Sequence, residues 1–245
     1  MTIAEFLGCL FLAFGPSLAM FTLTIAHDPQ RISLMLAGSF FWLVSLLFST
    51  MIWFMVVPLR NKLVIALIFS VFIQLGEGFR YLLYKLLRKI EPFLHYRPNR
   101  HISEYVTGLG FGTASGVFSM IHILPASLGP ATVGLKTGSS YLFVFNAAQS
   151  LCMILLHTFW NVIFFSAWDT KNYSHITYVV VSHLFVSCVT LLNSQGLVAV
   201  TLTGSYLVLL VTTVLAFRAA GGTFAWFWQF ITNFRRRTTG YQPLD

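Results

Sequence analysis

Two small sets of residues in this chain have the types and spacing for chemistry. Gln74, Glu77 and Arg80 recur every third position inside an apolar stretch. On a helix turning about 100° per residue they share a stripe about 120° wide, which must face protein rather than lipid. His157 and His183 each lie within a long apolar run, with Asn161 one helical turn beyond His157. A carboxylate, a guanidinium and two imidazoles are the parts of an acid–base site or an ion path. They are equally the parts of a polar lock, in which Glu77 and Arg80 pair and fix the register of their helix. A catalytic carboxylate normally works beside a second titratable group. The sequence supplies no second acid at that depth, which favours the lock. Two imidazoles without a third ligand make a poor metal site, so no metal, cofactor or catalytic residue is expected. Neutral histidines hydrogen-bonded across helices suit the role polar groups play in membrane bundles.

A third pattern is structural. Gly108, Gly112 and Gly116 fall at i, i+4 and i+8, with Ala114 and Ser115 alongside. They pave one helix face with bare backbone, so that a second helix can approach closely. Whether that second helix belongs to this chain or to another protein is open from sequence.

The elements that must carry these residues are membrane spans. Between Lys171 and Arg218 lie 46 residues with no Asp, Glu, Lys or Arg. Other such runs lie between Glu5 and Asp28, Arg31 and Arg60, Glu104 and Lys136, and Lys136 and Asp169. Each exceeds the roughly 20 residues a helix needs to cross a hydrocarbon core. With 57% hydrophobic and 9% charged residues, the chain cannot clothe a water-soluble domain. Charges and turn formers divide it into seven helices, at 4–26, 32–57, 63–87, 105–124, 140–168, 174–192 and 197–217. The predicted class is all-α, a single multi-pass transmembrane bundle over residues 1–245, with 218–245 as an interfacial tail.

The formal charge of +8 is no sign of nucleic-acid binding in such a chain. Lys and Arg gather on the cytosolic side of membrane proteins. With the N-terminus lumenal or extracellular, the inner face collects Arg31, Lys85, Arg88, Lys89, Arg97, Arg100, Lys171, Arg218 and Arg235 to Arg237, and the outer face only Arg60, Lys62 and Lys136. The C-terminus is therefore expected in the cytosol. Opposite chain directions place His157 and His183 at one depth, roughly 14 to 17 Å from that face. Cys9, Cys152 and Cys188 all fall in apolar runs and read as core. The aromatic segment from Phe224 to Phe230, followed by Arg235 to Arg237, suits the headgroup layer.

With these residues in place, the chain resembles the anterior-pharynx-defective family, the seven-span scaffold subunit of gamma-secretase. The matching stretches include Phe14-Gly15-Pro16, Phe40 to Leu47, Phe79-Arg80-Tyr81, Gly108 to Gly116 with Val117-Phe118-Ser119, Leu155 to Trp160, Ser182-His183-Leu184 and Ala220-Gly221-Gly222. The resemblance implies a non-catalytic subunit that assembles with presenilin, nicastrin and the presenilin enhancer in membranes of the endoplasmic reticulum, Golgi, cell surface and endosomes. That complex cleaves the membrane spans of proteins such as Notch and amyloid precursor protein. The family's glycine triplet and histidine pair support assembly and association with presenilin, and they map onto Gly108, Gly112, Gly116, His157 and His183. In the family Gln and Glu are adjacent before the Phe-Arg pair, whereas here Leu75-Gly76 separates Gln74 from Glu77. Two extra residues turn Gln74 by about 200°, so its role does not carry over. Glu77 and Arg80 keep the family spacing. The alternative is a glutamate-dependent intramembrane protease of the kind that processes prenylated proteins. Its outline is present in Glu77, Arg80, His157, Asn161 and His183, without the adjacent second glutamate.

Overall fold

A computed structural model describes residues 3–56, 62–93, 99–121 and 142–223, with positions 225, 228, 229 and 232 beyond them. Side chains at 56, 62–74, 142 and 194 are outside the description, and so are the Gln74 side chain and the Arg235 to Arg237 cluster. Seven long helices account for nearly all of it: α1 Ile3–Thr24, α2 Pro29–Val56, α3 Lys62–Ile90, α4 Arg100–Met120, α5 Leu142–Thr170, α6 Tyr173–Thr190 and α7 Val198–Ala219. Short 3-10 segments, Glu91–Phe93 and Leu191–Gln195, follow α3 and α6. Helix is what such a sequence must form in lipid, where every backbone donor and acceptor needs a partner within its own segment.

Local chemistry sets the helix ends. Asp28 caps α2, its Oδ1 accepting from the Gln30 amide at 2.9 Å, and Pro29 occupies the first helical position, where no donor is needed. Asn99 caps α4 in the same way, accepting from the His101 amide at 3.1 Å. Gly196 closes the segment after α6 with a left-handed φ of +79°. Six helices begin or end within a few residues of the predicted limits. The largest difference is at α4, which starts at Arg100 instead of 105 and so carries Glu104 inside the helix.

Among the described residues five helices, α1, α2, α5, α6 and α7, are long and apolar enough to cross a membrane. The other two, α3 and α4, carry the polar load. The central helix is α5, most of it buried, while α1, α2, α6 and α7 turn most of their surface outward. It packs against α4, α1, α6 and α7, and α2 lies against α4 on the other side. Trp160, Phe165, Ile163 and Leu156 of α5 form the core with Leu83 of α3, Val179 and Val186 of α6 and Leu209 of α7. Cys9 and Cys152 are buried as expected, but Cys188 is exposed, because its side of α6 faces away from the bundle.

The glycine triplet faces inward. A methyl carbon added at Gly112 would stand 2.4 Å from the Ile154 carbonyl oxygen, and one at Gly108 would stand 2.7 Å from the Thr158 carbonyl oxygen and from Asn161 Cβ. At Gly116 it would meet Ile154 Cδ1 at 2.5 Å. The opposite face of α4 is as tight: Gly110 approaches Met35 of α2, where a methyl would lie 2.0 Å from its carbonyl oxygen, and Gly38 of α2 approaches Thr107. Glycine on both sides lets α4 sit between α2 and α5 at backbone contact. The small-residue groove that sequence left open to a foreign helix is filled by α5 of this chain.

Candidate functional site

Three helices bring the sequence-predicted polar residues to one place. Glu77 and Arg80 come from one face of α3, His157 from α5 and His183 from α6, and all four are buried. His183 Nδ1 meets Glu77 Oε1 at 2.7 Å. Glu77 Oε2 stands 3.5 Å from Arg80 Nε, a longer ion pair between residues one turn apart. Arg80 Nη2 then donates to His157 Nδ1 at 3.0 Å. The result is a continuous chain, His183 to Glu77 to Arg80 to His157, that ties α6, α3 and α5 together.

The donor inventory fixes both imidazoles. A guanidinium has only donors, so His157 Nδ1 must accept, which makes His157 a neutral ring with its proton on Nε2. The Glu77 carboxylate beside Arg80 accepts, so His183 carries its proton on Nδ1. The two histidines are thus hydrogen-bonded across helices, each to α3 rather than to the other. Their rings meet edge to face at 5.2 Å. Trp160 lies against His183 at 4.7 Å, and Phe111 supports both His157 at 5.3 Å and the Arg80 guanidinium at 4.9 Å. The charges of Glu77 and Arg80 cancel inside the cluster, which is what allows it to be buried.

This geometry ties three helices together through buried polar side chains. Glu77 Oε1 is bonded to His183, while Oε2, buried 3.5 Å from Arg80 Nε, makes no hydrogen bond among the described residues and is held by charge alone. Among the described residues no group of three or more His, Cys, Asp or Glu is placed to hold a metal ion.

Asn161 does not join the histidines. Its Nδ2 donates to the Glu104 carbonyl at 2.7 Å and to Thr107 Oγ1 at 2.9 Å, closing one end of the α4–α5 seam. Ser119 and Ser150 hydroxyls, 2.7 Å apart, close the other end. Between these clasps lie Gly108, Gly112 and Gly116.

A second charged cluster escaped the sequence reading. Arg88, from the last turn of α3, donates through Nε to Asp169 Oδ1 at 3.0 Å and through Nη2 to Glu104 Oε1 at 3.0 Å and to Asp169 Oδ2. Tyr84 donates to Asp169 Oδ1 at 2.9 Å, and Arg100 Nε donates to Glu91 Oε1 at 3.0 Å. His101 Nδ1 lies 3.2 Å from Glu104 Oε2. One arginine therefore clamps the ends of α3, α4 and α5. The available signal was the place of Glu104 and Asp169 at the limits of apolar runs, where they served only as boundary marks.

The family model described as "Aph-1 protein" matches residues 4–223. The chain is 52% identical to the gamma-secretase subunit Aph-1 of Drosophila melanogaster, over 95% of this chain and 99% of that protein. It is 42% identical to gamma-secretase subunit APH-1B of Homo sapiens, covering 91% of each. To the gamma-secretase subunit APH1-like protein of Arabidopsis thaliana it is 32% identical, over 81% of this chain and 86% of the plant protein.

Proposed function

This chain belongs to the Aph-1 family, and from that premise we propose that it is a non-catalytic scaffold subunit of a gamma-secretase complex. The observation that supports the scaffolding role is the buried polar chain in which His183 bonds Glu77, Arg80 bonds His157, and Glu77 and Arg80 form an ion pair between them. Lipid tails are about as apolar as leucine, so apolar burial cannot drive helices together as it does in water. Backbone contact at glycines and a few buried polar bonds must do so instead, and both are concentrated on α3, α4, α5 and α6.

In this role the bundle offers presenilin, nicastrin and the presenilin enhancer a preformed surface, and Gly108, Gly112 and Gly116 act on assembly by setting the shape of that surface from within. His157 and His183 act through α3, whose position depends on them. The charged end of the bundle, with Arg31, Arg88, Arg100, Lys171 and Arg218, faces the cytosol, and the N-terminus faces the lumen or the cell exterior. The assembled complex cleaves the membrane spans of substrates such as Notch and amyloid precursor protein, with its catalytic groups in another subunit.

Co-purification in mild detergent tests this directly. Presenilin, nicastrin and the presenilin enhancer should be recovered with the wild-type chain and lost with Gly112→Asp. Replacing both His157 and His183 by Ala should lower presenilin maturation while the chain still inserts. Recovery of an intact complex with Gly112→Asp would contradict the assembly role. Cleavage of a peptide by the purified chain without any other subunit would contradict the non-catalytic one.

A further inference from the structure

The two histidines of the polar chain border a cleft of about 490 Å³ between α2 and the helices behind it. Its walls are largely apolar and aromatic, with Trp42 and Trp53 on the α2 side and Phe111 opposite. His157 and His183 line it, each with Nδ1 already engaged in the polar chain. From the tautomers derived above, His157 keeps an Nε2–H donor and His183 keeps Nε2 as an acceptor when neutral. Hydroxyls complete the lining. Ser45 and Thr50 donate to the Trp42 and Leu47 carbonyls, both at 2.7 Å, which leaves their oxygens free to accept. Ser115, buried at the back of the cleft, can both donate and accept.

We propose that this cleft binds a neutral lipid carrying a free hydroxyl, the hydroxyl lodged between His157, His183 and Ser115 and the apolar body between Trp42 and Trp53. The polar lining offers one strong donor and several acceptors, and a hydroxyl is the smallest group that satisfies both. Charge argues against an ionic headgroup, because Glu77 and Arg80 already neutralise each other and no further charged side chain lines the cleft among the described residues. Size argues against a partner helix, since a cylinder about 10 Å across and 15 Å long fills more than about 1,000 Å³. The volume instead falls in the range of about 300 to 1,000 Å³ that encloses a ligand of a few hundred daltons. Thr50 and Trp53 lie on the exposed part of α2, so the mouth opens towards the lipid phase. A sterol and a diacylglycerol share the required chemistry.

Photo-crosslinking of the assembled complex in lipid nanodiscs separates these sources and tests the site. Three photoactivatable probes are compared: cholesterol, diacylglycerol and phosphatidylserine. Cholesterol or diacylglycerol should label peptides from α2 or α4, and which of them does so identifies the lipid. Filling the cleft with Ser115→Leu, or from the α2 side with Ser49→Leu, should cut that labelling by about fivefold or more, the affinity equivalent of one lost hydrogen bond. Recovery of the other subunits with each variant reports that the bundle still folds, and Ser49→Leu stands in if Ser115→Leu fails to assemble. Labelling by neither neutral probe, equal labelling by phosphatidylserine, or labelling unchanged in an assembled filled variant would each overturn the proposal.

Discussion

Helices α3 and α4 solve one problem in opposite ways. Each carries a polar burden unusual for a membrane span, and each must be held to the bundle without help from water. Glycine on two faces of α4 brings its backbone against both α2 and α5, so close that a single added methyl has nowhere to go. Along α3 the side chains that reach the bundle are long. Arg80 reaches to His157, Arg88 to Asp169 and Glu104, and Tyr81 and Tyr84 lie against Trp168 and Phe165 at 4.7 and 5.4 Å. Dispersion between backbones is sensitive to shape and indifferent to charge. Polar struts tolerate separation but fail when one partner is removed. The two helices should therefore break under different substitutions.

The largest effect is expected at Gly112. A carboxylate-bearing or leucine side chain would have to displace the Ile154 backbone, which is worse than the 1 to 3 kcal/mol typical of an overpacked core that can adjust its side chains. Recovery of the complex with Gly112→Leu should fall to background. Gly15→Ala and Gly76→Ala, at positions where an added methyl meets nothing within 4 Å, should be recovered like wild type. Equal loss at all three would dissolve the contrast, because the triplet would then have no special role.

Next comes Arg80→Leu. It leaves Glu77 without its counter-charge in a buried site, a loss of about 3 to 5 kcal/mol. The double variant Glu77→Leu with Arg80→Leu should regain most of it, read as resistance of the bundle to denaturing detergent. Failure of the double variant to exceed the single one would mean that Arg80 acts by filling space and not as half of a pair. A smaller effect belongs to the histidines. A double-mutant cycle on His183→Ala and Glu77→Gln should give a coupling of about 0.5 to 3 kcal/mol, as expected of groups in direct contact. Independence of the two would break the chain at that link.

The smallest effect is expected at Arg88. Its side chain is 18% exposed and its partners Asp169 and Glu91 are 21% exposed, so solvent and salt screen those bonds, while its buried partner Glu104 keeps His101 when Arg88 is removed. Arg88→Ala should lower stability by about 1 kcal/mol, with a loss that shrinks as salt is added. A cost as large as that of Arg80→Leu would show that the charged end, and not the buried chain, is what holds α3.

The same contrast explains what could be read from the sequence. Apolar runs bounded by charges locate helices because the bilayer admits few other structures, so most limits fell within a few residues. Glu77, Arg80, His157 and His183 stood out because each is costly in lipid and must find a partner. Their pairing was less legible. Spacing alone favours Glu77 with Arg80, whereas the shorter bonds run to the two histidines on other helices. The direction of the glycine face was not legible at all, because a bare helix face looks the same whether the neighbour is α5 or a foreign span. Glu104 was missed for a related reason. At the edge of an apolar run a charged residue reads as a terminus, and only the early start of α4 at Arg100 turns it inward to meet Arg88.

The claim that the buried carboxylate binds helices and does no acid–base work is tested most directly by Glu77→Gln in the complete gamma-secretase complex. The quantity to measure is the substrate cleavage rate per mole of fully assembled complex, so that any loss of assembly is divided out. A structural Glu77 leaves that rate within about twofold of wild type even if less complex is recovered. A fall of 100-fold or more in assembled material, the minimum expected when a general acid or base is removed, would contradict it.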